Sequence, residues 1–297
     1  MAKLGFLGLG LMGVAMARRL LQAGHEVALW SHSGGKAAKL AGEGKGTPCA
    51  SPKEVGERSE CVFLCVGDTE MSREVLLGPN GVIEGAEAGT IVADASTVSP
   101  EGSRKIGEEF ARRGVHFLDA PCTGSTPGAT NGTLTFMIGG EKEVFERAKP
   151  WFEPMGKLFY YCGGPGMGLN AKLTQNLILA NIMQAFSEGI VLATKAGVDP
   201  SLMLQILDNS AAKSGLISYK APFVLRRDFS TNFSTKWMHK DVSLALDSAK
   251  GLDVPLPATA ITQQMLRAAI AKGYGDDDFC SMIRTEEEWA GVEVKIP

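Results

Sequence analysis

Lys172 and Asn176 stand four residues apart on a long, mostly apolar helical run, Leu169 to Ala196, in this 297-residue chain. Their spacing of four puts both on one face of an α-helix. A lysine on a largely buried face needs a partner or a task. Desolvation and a nearby cation lower an ammonium pKa toward neutrality, and the group can then deliver a proton to a carbonyl oxygen. Asn176 can orient that amine or the oxygen it protonates. A snorkelling lysine beside a helix-facing amide fits the same pattern. The stretch Asp119-Ala120-Pro121-Cys122-Thr123-Gly124-Ser125-Thr126-Pro127-Gly128-Ala129 is polar and glycine-rich for a segment between two strands. Such a loop offers successive N–H groups and a hydroxyl to a carboxylate, although composition equally fits an ordinary Gly/Pro turn.

A second chemistry-bearing feature is Gly8-Leu9-Gly10-Leu11-Met12-Gly13, which follows an apolar strand pattern and opens a helical run from Val14 to Ala23. This G-x-G-x-x-G arrangement sets backbone N–H groups at a helix start against a dinucleotide pyrophosphate. Gly8 permits the tight turn, Gly10 clears the approach, and Gly13 lets helix and sheet pack closely. Enzymes selective for NAD place an acid at the end of the next strand, to bind the ribose hydroxyls. Here the strand ends Ala28-Leu29-Trp30-Ser31-His32-Ser33, with Lys36 beyond and no acid. Ser31, His32, Ser33 and Lys36 can donate to a ribose phosphate, which favours NADP(H) and leaves NAD(H) possible.

The elements that must position these residues divide the chain in two. Apolar strands at 3–8, 26–31, 61–66 and 90–94 alternate with helical segments and predict a parallel sheet covered on both faces. A helix at 102–113, strands at 115–119 and 133–139, a helix at 141–153 and a strand at 157–161 follow. After Gly163-Gly164-Pro165-Gly166 the pattern is helical throughout: a long helix over 168–196, one starting at Asp199-Pro200, one over 238–250 and one from about 258 to 272. The expected fold is therefore a Rossmann-type doubly wound sheet domain, 1–163, and an all-helical domain for substrate and oligomerisation, 164–297, joined by the long helix.

Lys plus Arg 30 against Asp plus Glu 33 gives a net charge of −3, with no basic block to track a nucleic acid. Six cysteines without a C-x-x-C pair read as buried thiols in a reducing compartment. The start of the chain shows no basic leader, and no stretch approaches 18 uninterrupted apolar residues. A cytoplasmic protein with no membrane partner is expected. The four histidines have no ligand spacing, so no metal is expected, and His25 and His116 read as turn-to-strand residues. The run Glu286-Glu287-Glu288-Trp289 suggests Trp289 packed inward and its acids in solvent.

Four blocks together, Gly5 to Gly13, Asp119 to Gly132 with Thr133-Leu134, Gly166 to Asn176, and Lys240-Asp241, resemble the β-hydroxyacid dehydrogenases. That group contains 3-hydroxyisobutyrate dehydrogenase, tartronate semialdehyde reductase and the glyoxylate/succinic semialdehyde reductases. The resemblance implies Lys172 as general acid in reduction and base in oxidation, with Asn176 near the reacting oxygen. It also implies Thr123 and the Gly124-Ser125 backbone as substrate anchors, Thr97 on the nicotinamide side and Lys240 reaching the cofactor cleft. Gly8, Gly10, Leu11, Met12 and Gly13 would hold the pyrophosphate, and Val66 and Met71 would line the adenine side. Asp241 reads either as part of this block or as a first-turn helix acid.

Thr123-Gly124-Ser125 differs from the commoner Ser-Gly-Gly and is similar to the glyoxylate/succinic semialdehyde branch, as are Phe186 to Gly189 and Phe233 to Lys236. That branch usually has Asn-Arg-Thr where this chain has Ser31-His32-Ser33. The reaction expected is NADPH-dependent reduction of a small carboxylate-bearing aldehyde, succinic semialdehyde or glyoxylate. A 3-hydroxyisobutyrate dehydrogenase is the near alternative; a 6-phosphogluconate-type decarboxylating enzyme and a non-enzymatic reader domain are more distant ones. The family also implies a homodimer or homotetramer.

Overall fold

In a computed structural model, residues 1–33 and 35–296 are described. They form two compact units, Met1–Lys172 and Leu173–Pro297, with one long helix running through the boundary. The first unit is a Rossmann-like domain. Its chain order is β1 Lys3–Leu7, α1 Leu11–Gln22, β2 Glu26–Trp30, α2 Gly35–Ala41, β3 Gly46–Pro48, α3 Pro52–Glu57, β4 Cys61–Leu64, α4 Thr69–Leu77, α5 Val82–Gly85, β5 Ile91–Asp94, α6 Pro100–Ala111 and β6 His116–Asp119. Then come β7 Cys122–Thr123, α7 Ser125–Asn131, β8 Leu134–Gly139, α8 Lys142–Phe152 and β9 Gly156–Gly163.

The sheet runs β3-β2-β1-β4-β5-β6-β8-β7, with β9 also paired to β8. Strands β3 to β6 in this order are parallel, as apolar strands alternating with helices require. Both faces are covered: Leu4, Phe6 and Phe63 pack into one apolar cluster, Leu7, Val62 and Leu64 into another. The four strands expected to be parallel are so, and the sheet continues beyond them with a reversal. β8 runs antiparallel to both β6 and β7, so the sheet is mixed. The reversal is made by β7 and α7, which turn the chain back before β8 begins.

Because β1 and β4 are neighbours while β2 and β5 lie to either side, the strand order reverses at β1/β4. Ligands of open α/β sheets bind outside the carboxyl ends of strands at such a point. Backbone hydrogen bonds tie those ends together: Gly8 donates to Trp30, Cys65 to Leu7, Ala95 to Leu64 and Ala120 to Asp94.

The second unit is helical. It holds most of α9 Met167–Lys195, then α10 Pro200–Asp208, α11 Gly215–Leu225, α12 Thr235–Gly251, α13 Pro257–Ala269 and α14 Ile283–Ala290. Helix α9 is long and apolar enough, by length and composition, to cross a membrane, with a mean hydropathy of 1.5 over its most apolar window. Core helices share that composition, and two of its polar residues are spent on neighbours within this unit. The Asn181 amide donates to Thr259 at 3.0 Å and accepts from Thr262 at 2.7 Å, both on α13. Gln184 donates to Glu286 of α14 at 2.6 Å.

Two expectations fail here. Trp289 is 65% exposed and Glu286 and Glu287 are buried, the reverse of what was expected for these three, while Glu288 is exposed as expected. Glu287 accepts from Arg227 at 2.6 Å and from the Val294 N–H at 2.8 Å, and Glu286 from Gln184, so both carboxylates have donors that make burial tolerable. The cysteines are all free, yet only Cys61 and Cys280 are buried; the other four are partly exposed.

Candidate active site

The glycine turn has the geometry its spacing demands. Gly8 lies at φ +87°, and a Cβ there would sit 2.1 Å from the Cys65 carbonyl oxygen; one on Gly13 would sit 1.9 Å from that of Gly8. Neither position can hold a side chain while the turn keeps this shape. Gly10 differs, since a Cβ there would meet nothing within 4 Å. It faces open space at the N-terminus of α1, where Gly10 is the N-cap, no side chain caps the helix, and the first turn holds no acid. The N–H groups of Leu11, Met12 and Gly13 are thus left to an anion at the positive end of the helix dipole. This arrangement fits a dinucleotide pyrophosphate. Leu11 is exposed and Met12 half-buried.

At the end of β2, Ser31 is buried with its hydroxyl 3.5 Å from that of Ser33, and His32, Ser33 and Lys36 are exposed. Gly34, between them, lies outside the described residues. Past β4 and β5 a buried network fixes three further predicted positions. Asp94 accepts from the Ser72 hydroxyl and, at 2.9 Å, from the Ser96 N–H; the Ser96 hydroxyl in turn accepts from the Val66 N–H at 2.8 Å. Met71 precedes Ser72 and Thr97 follows Ser96, so this carboxylate orders the turns bearing Val66, Met71 and Thr97. The sequence reading named Val66, Met71 and Thr97 but not the aspartate beneath them.

Thr123 ends β7, opposite Thr135 of β8. Gly124, at φ +129°, starts α7, and Ser125 has a positive φ of 52°. The segment expected as a loop is therefore largely helical from Ser125 to Asn131. Its later N–H groups are consumed by the helix, as Gly128 donates to Gly124, so only the first turn can present N–H groups to a ligand. Half-buried Thr123 keeps its place in a strand beside that turn.

Lys172 is buried in the first turns of α9, and its charge acts on the Cys122 thiol, which burial pushes up to about 11. This brings Lys172 together with the β7 residue next to Thr123. Asp119 holds the start of α9: its two oxygens accept from the N–H of Gly166 at 2.7 Å and of Leu169 at 2.8 Å. Burial raises its carboxyl to about 6 against the pull of these backbone donors. Gly168 lets the helix approach, since a Cβ there would lie 2.4 Å from the Met137 carbonyl oxygen.

Within the C-terminal unit, Asn176 is buried and donates from Nδ2 to Asp241 Oδ2 at 2.5 Å. The other Asp241 oxygen lies 3.0 Å from the Lys240 ammonium, which also sits over the Trp237 ring. Asp241 is thus a buried hub rather than a mere first-turn acid. A cavity of about 360 Å³ in this unit, lined by Ile182, Phe186, Ile190, Met203 and Leu207 among others, contains none of the predicted residues. No group of three or more His, Cys, Asp or Glu able to hold a metal occurs among the described residues.

Comparison with known proteins gives these residues a context. Residues 3–164 match the profile of the NAD binding domain of 6-phosphogluconate dehydrogenase, and 166–285 that of the NAD-binding region of NADP-dependent 3-hydroxyisobutyrate dehydrogenase. The chain is 35% identical to 2-(hydroxymethyl)glutarate dehydrogenase of Eubacterium barkeri, over 98% of this chain and 97% of that one. It is 34% identical to the chloroplastic glyoxylate/succinic semialdehyde reductase 2 of Arabidopsis thaliana, over 94% and 78%. The Mycobacterium tuberculosis 3-hydroxyisobutyrate dehydrogenase structure with L-serine superposes with a TM-score of 0.88 at 29% identity, covering 96% of this chain and 99% of that one. Similarity this even does not separate one branch from another. The chain belongs to the 3-hydroxyisobutyrate dehydrogenase-like family of β-hydroxyacid dehydrogenases and is an NAD(P)-dependent oxidoreductase.

Proposed function

We propose that this enzyme reduces a small carboxylate-bearing aldehyde, succinic semialdehyde or glyoxylate, with NADPH preferred over NADH. The observation carrying the reaction is the buried Lys172, set by Asp119 at the start of α9 next to the β7 strand that ends in Thr123. When bound, the nicotinamide cofactor supplies the hydride. Leu11, Met12 and Gly13 hold the pyrophosphate through their N–H groups, and Thr97 and Lys240 serve the nicotinamide side. Thr123, Gly124 and Ser125 anchor the carboxylate, and Lys172 gives its proton to the carbonyl oxygen as reduction proceeds, with Asn176 aligning it. The run Ser31-His32-Ser33 with Lys36, lacking an acid, supports the ribose phosphate. The Thr123-Gly124-Ser125 sequence supports the semialdehyde branch.

Six free thiols support a reducing, cytoplasmic setting. Exposed Ile178 and Leu192 on α9 and Leu202 and Ile206 on α10 support a homodimer or homotetramer. A panel of short aldehyde acids and β-hydroxy acids, assayed with both cofactors, tests the reading. Succinic semialdehyde or glyoxylate with NADPH should give the highest kcat/KM; a highest value for 3-hydroxyisobutyrate or a clear preference for NADH would overturn the branch or the cofactor. Lys172→Ala should lose roughly 10² to 10⁴ fold in kcat while still binding cofactor.

A further inference from the structure

The Asn176 side chain has two chemically different limbs, and what faces each of them decides what the residue can do. One limb meets Asp241, with 2.5 Å between Asn176 Nδ2 and Asp241 Oδ2, where both residues are buried to 1% and 2% exposure. A carboxylate has no proton to give, so only the N–H₂ limb can face it. The amide oxygen is thereby turned to the opposite side. A lone asparagine could rotate by 180° and exchange its donor for its acceptor; here that flip would set oxygen against carboxylate oxygen in a buried place, an uncompensated repulsion. The Lys240 ammonium, 3.0 Å from the other Asp241 oxygen, balances the buried negative charge.

From this geometry we infer that Asp241 is a positioning residue that locks Asn176 with its amide oxygen turned away from the carboxylate, so that Asn176 enters the reaction as an acceptor and never as a donor. This rests on the proposed role of Asn176 in the reduction. An acceptor limb suits a step in which a proton is delivered, since the donor has to be held before it gives the proton up. Asp241 itself touches neither substrate nor proton in this account.

Kinetics and amide exchange test the inference separately. Asp241→Ala should lower kcat about 100-fold at saturating NADPH, with any loosening of Lys240 read separately as a change in the NADPH Kd by fluorescence. Asp241→Asn, which still offers an oxygen to Asn176, should recover kcat to within about tenfold of wild type. At saturating NADPH the double variant Asp241→Ala/Asn176→Ala should be no slower in kcat than Asn176→Ala alone, because the effect of Asp241 on kcat passes through that amide. Multiplying effects in the double variant, or an Asp241→Asn enzyme as slow as Asp241→Ala, would overturn it. Without any substrate, the Asn176 side-chain N–H₂ resonance, identified by its loss in Asn176→Asp, should exchange slowly in wild type and fast in Asp241→Ala. Unchanged exchange overturns the lock, whereas a wild type inactive across the substrate panel sinks the proposed reaction and leaves the lock to be judged by exchange.

Discussion

Helix α9 is gripped at two places by buried carboxylates, and the two grips work differently. At its start, Asp119 is met by the backbone N–H groups of Gly166 and Leu169. Midway, Glu286 is met by a side-chain amide, that of Gln184, which it shares with Glu188 at 2.8 Å. Burial raises both carboxyls, Asp119 to about 6 and Glu286 to about 7, and the Glu188 charge pushes Glu286 in the same direction. Main-chain donors are fixed by the fold and cannot turn away; an amide on a flexible stem divides its protons between two acids. Both carboxyls titrate above their ordinary range; the one held by backbone keeps its donors in place as it does so, and the one held by a shared side chain can lose its donor to the neighbouring acid.

The largest expected effect comes from breaking the first grip. Asp119→Ala leaves two buried N–H groups without their acceptor and should cost about 3 kcal/mol in urea unfolding, with kcat falling because Lys172 lies three residues beyond Leu169. A loss under about 1 kcal/mol would mean that the start of α9 is held by packing alone.

Next is the pH response of the second grip. The Glu286 carboxyl sits at about 7 when folded, above its ordinary 4.5, so the native state keeps a proton that the unfolded chain releases in between. Its contribution is complete below about 4.5, falls as pH rises toward 7 and is flat above. Glu286→Gln should therefore match wild type near pH 4.5 and exceed it at pH 8 by on the order of 2 kcal/mol, read from unfolding midpoints across that range. Equal midpoints at pH 8 would show that the folded state holds no proton on Glu286 that the unfolded chain releases. The smallest effect is Glu188→Gln, which removes a like charge and should lower the Glu286 midpoint by less than about one pH unit, followed by its carboxyl carbon resonance.

The two halves of the chain also differed in how much could be read in advance. Gly8, Gly10 and Gly13 announce themselves because their spacing is local, and strands buried on both faces appear as continuous apolar runs. The helical character of the second half is equally plain. What binds the site together was not: Asp119 finds its donors about 50 residues on, Asn176 meets Asp241 65 residues on, and Gln184 meets Glu286 102 residues on. Single-sequence patterns carry no information over such gaps. Short β3 and α7 escaped notice, the latter because Gly, Pro and Thr read as turn while the tertiary setting makes a helix. Glu286 and Glu287 were misplaced by composition, although their spacing from Ile283 and Ala290 already set them on an apolar face.

The reach of Asp119 forward along the chain also sets an order of events during synthesis. Every strand of the first unit has been made by Gly163, yet the N–H groups of Gly166 and Leu169 that satisfy this buried carboxylate come later. At translation rates of ~5–20 residues per second, the 50 residues from Asp119 to Leu169 take roughly 2–10 s. Through that interval the end of β6 has to remain unsealed, with Asp119 hydrated or protonated. The opening turns of α9 thus serve as the closing segment of the nucleotide-binding unit, and a nascent chain halted at the last strand is left with its sheet complete and its latch missing.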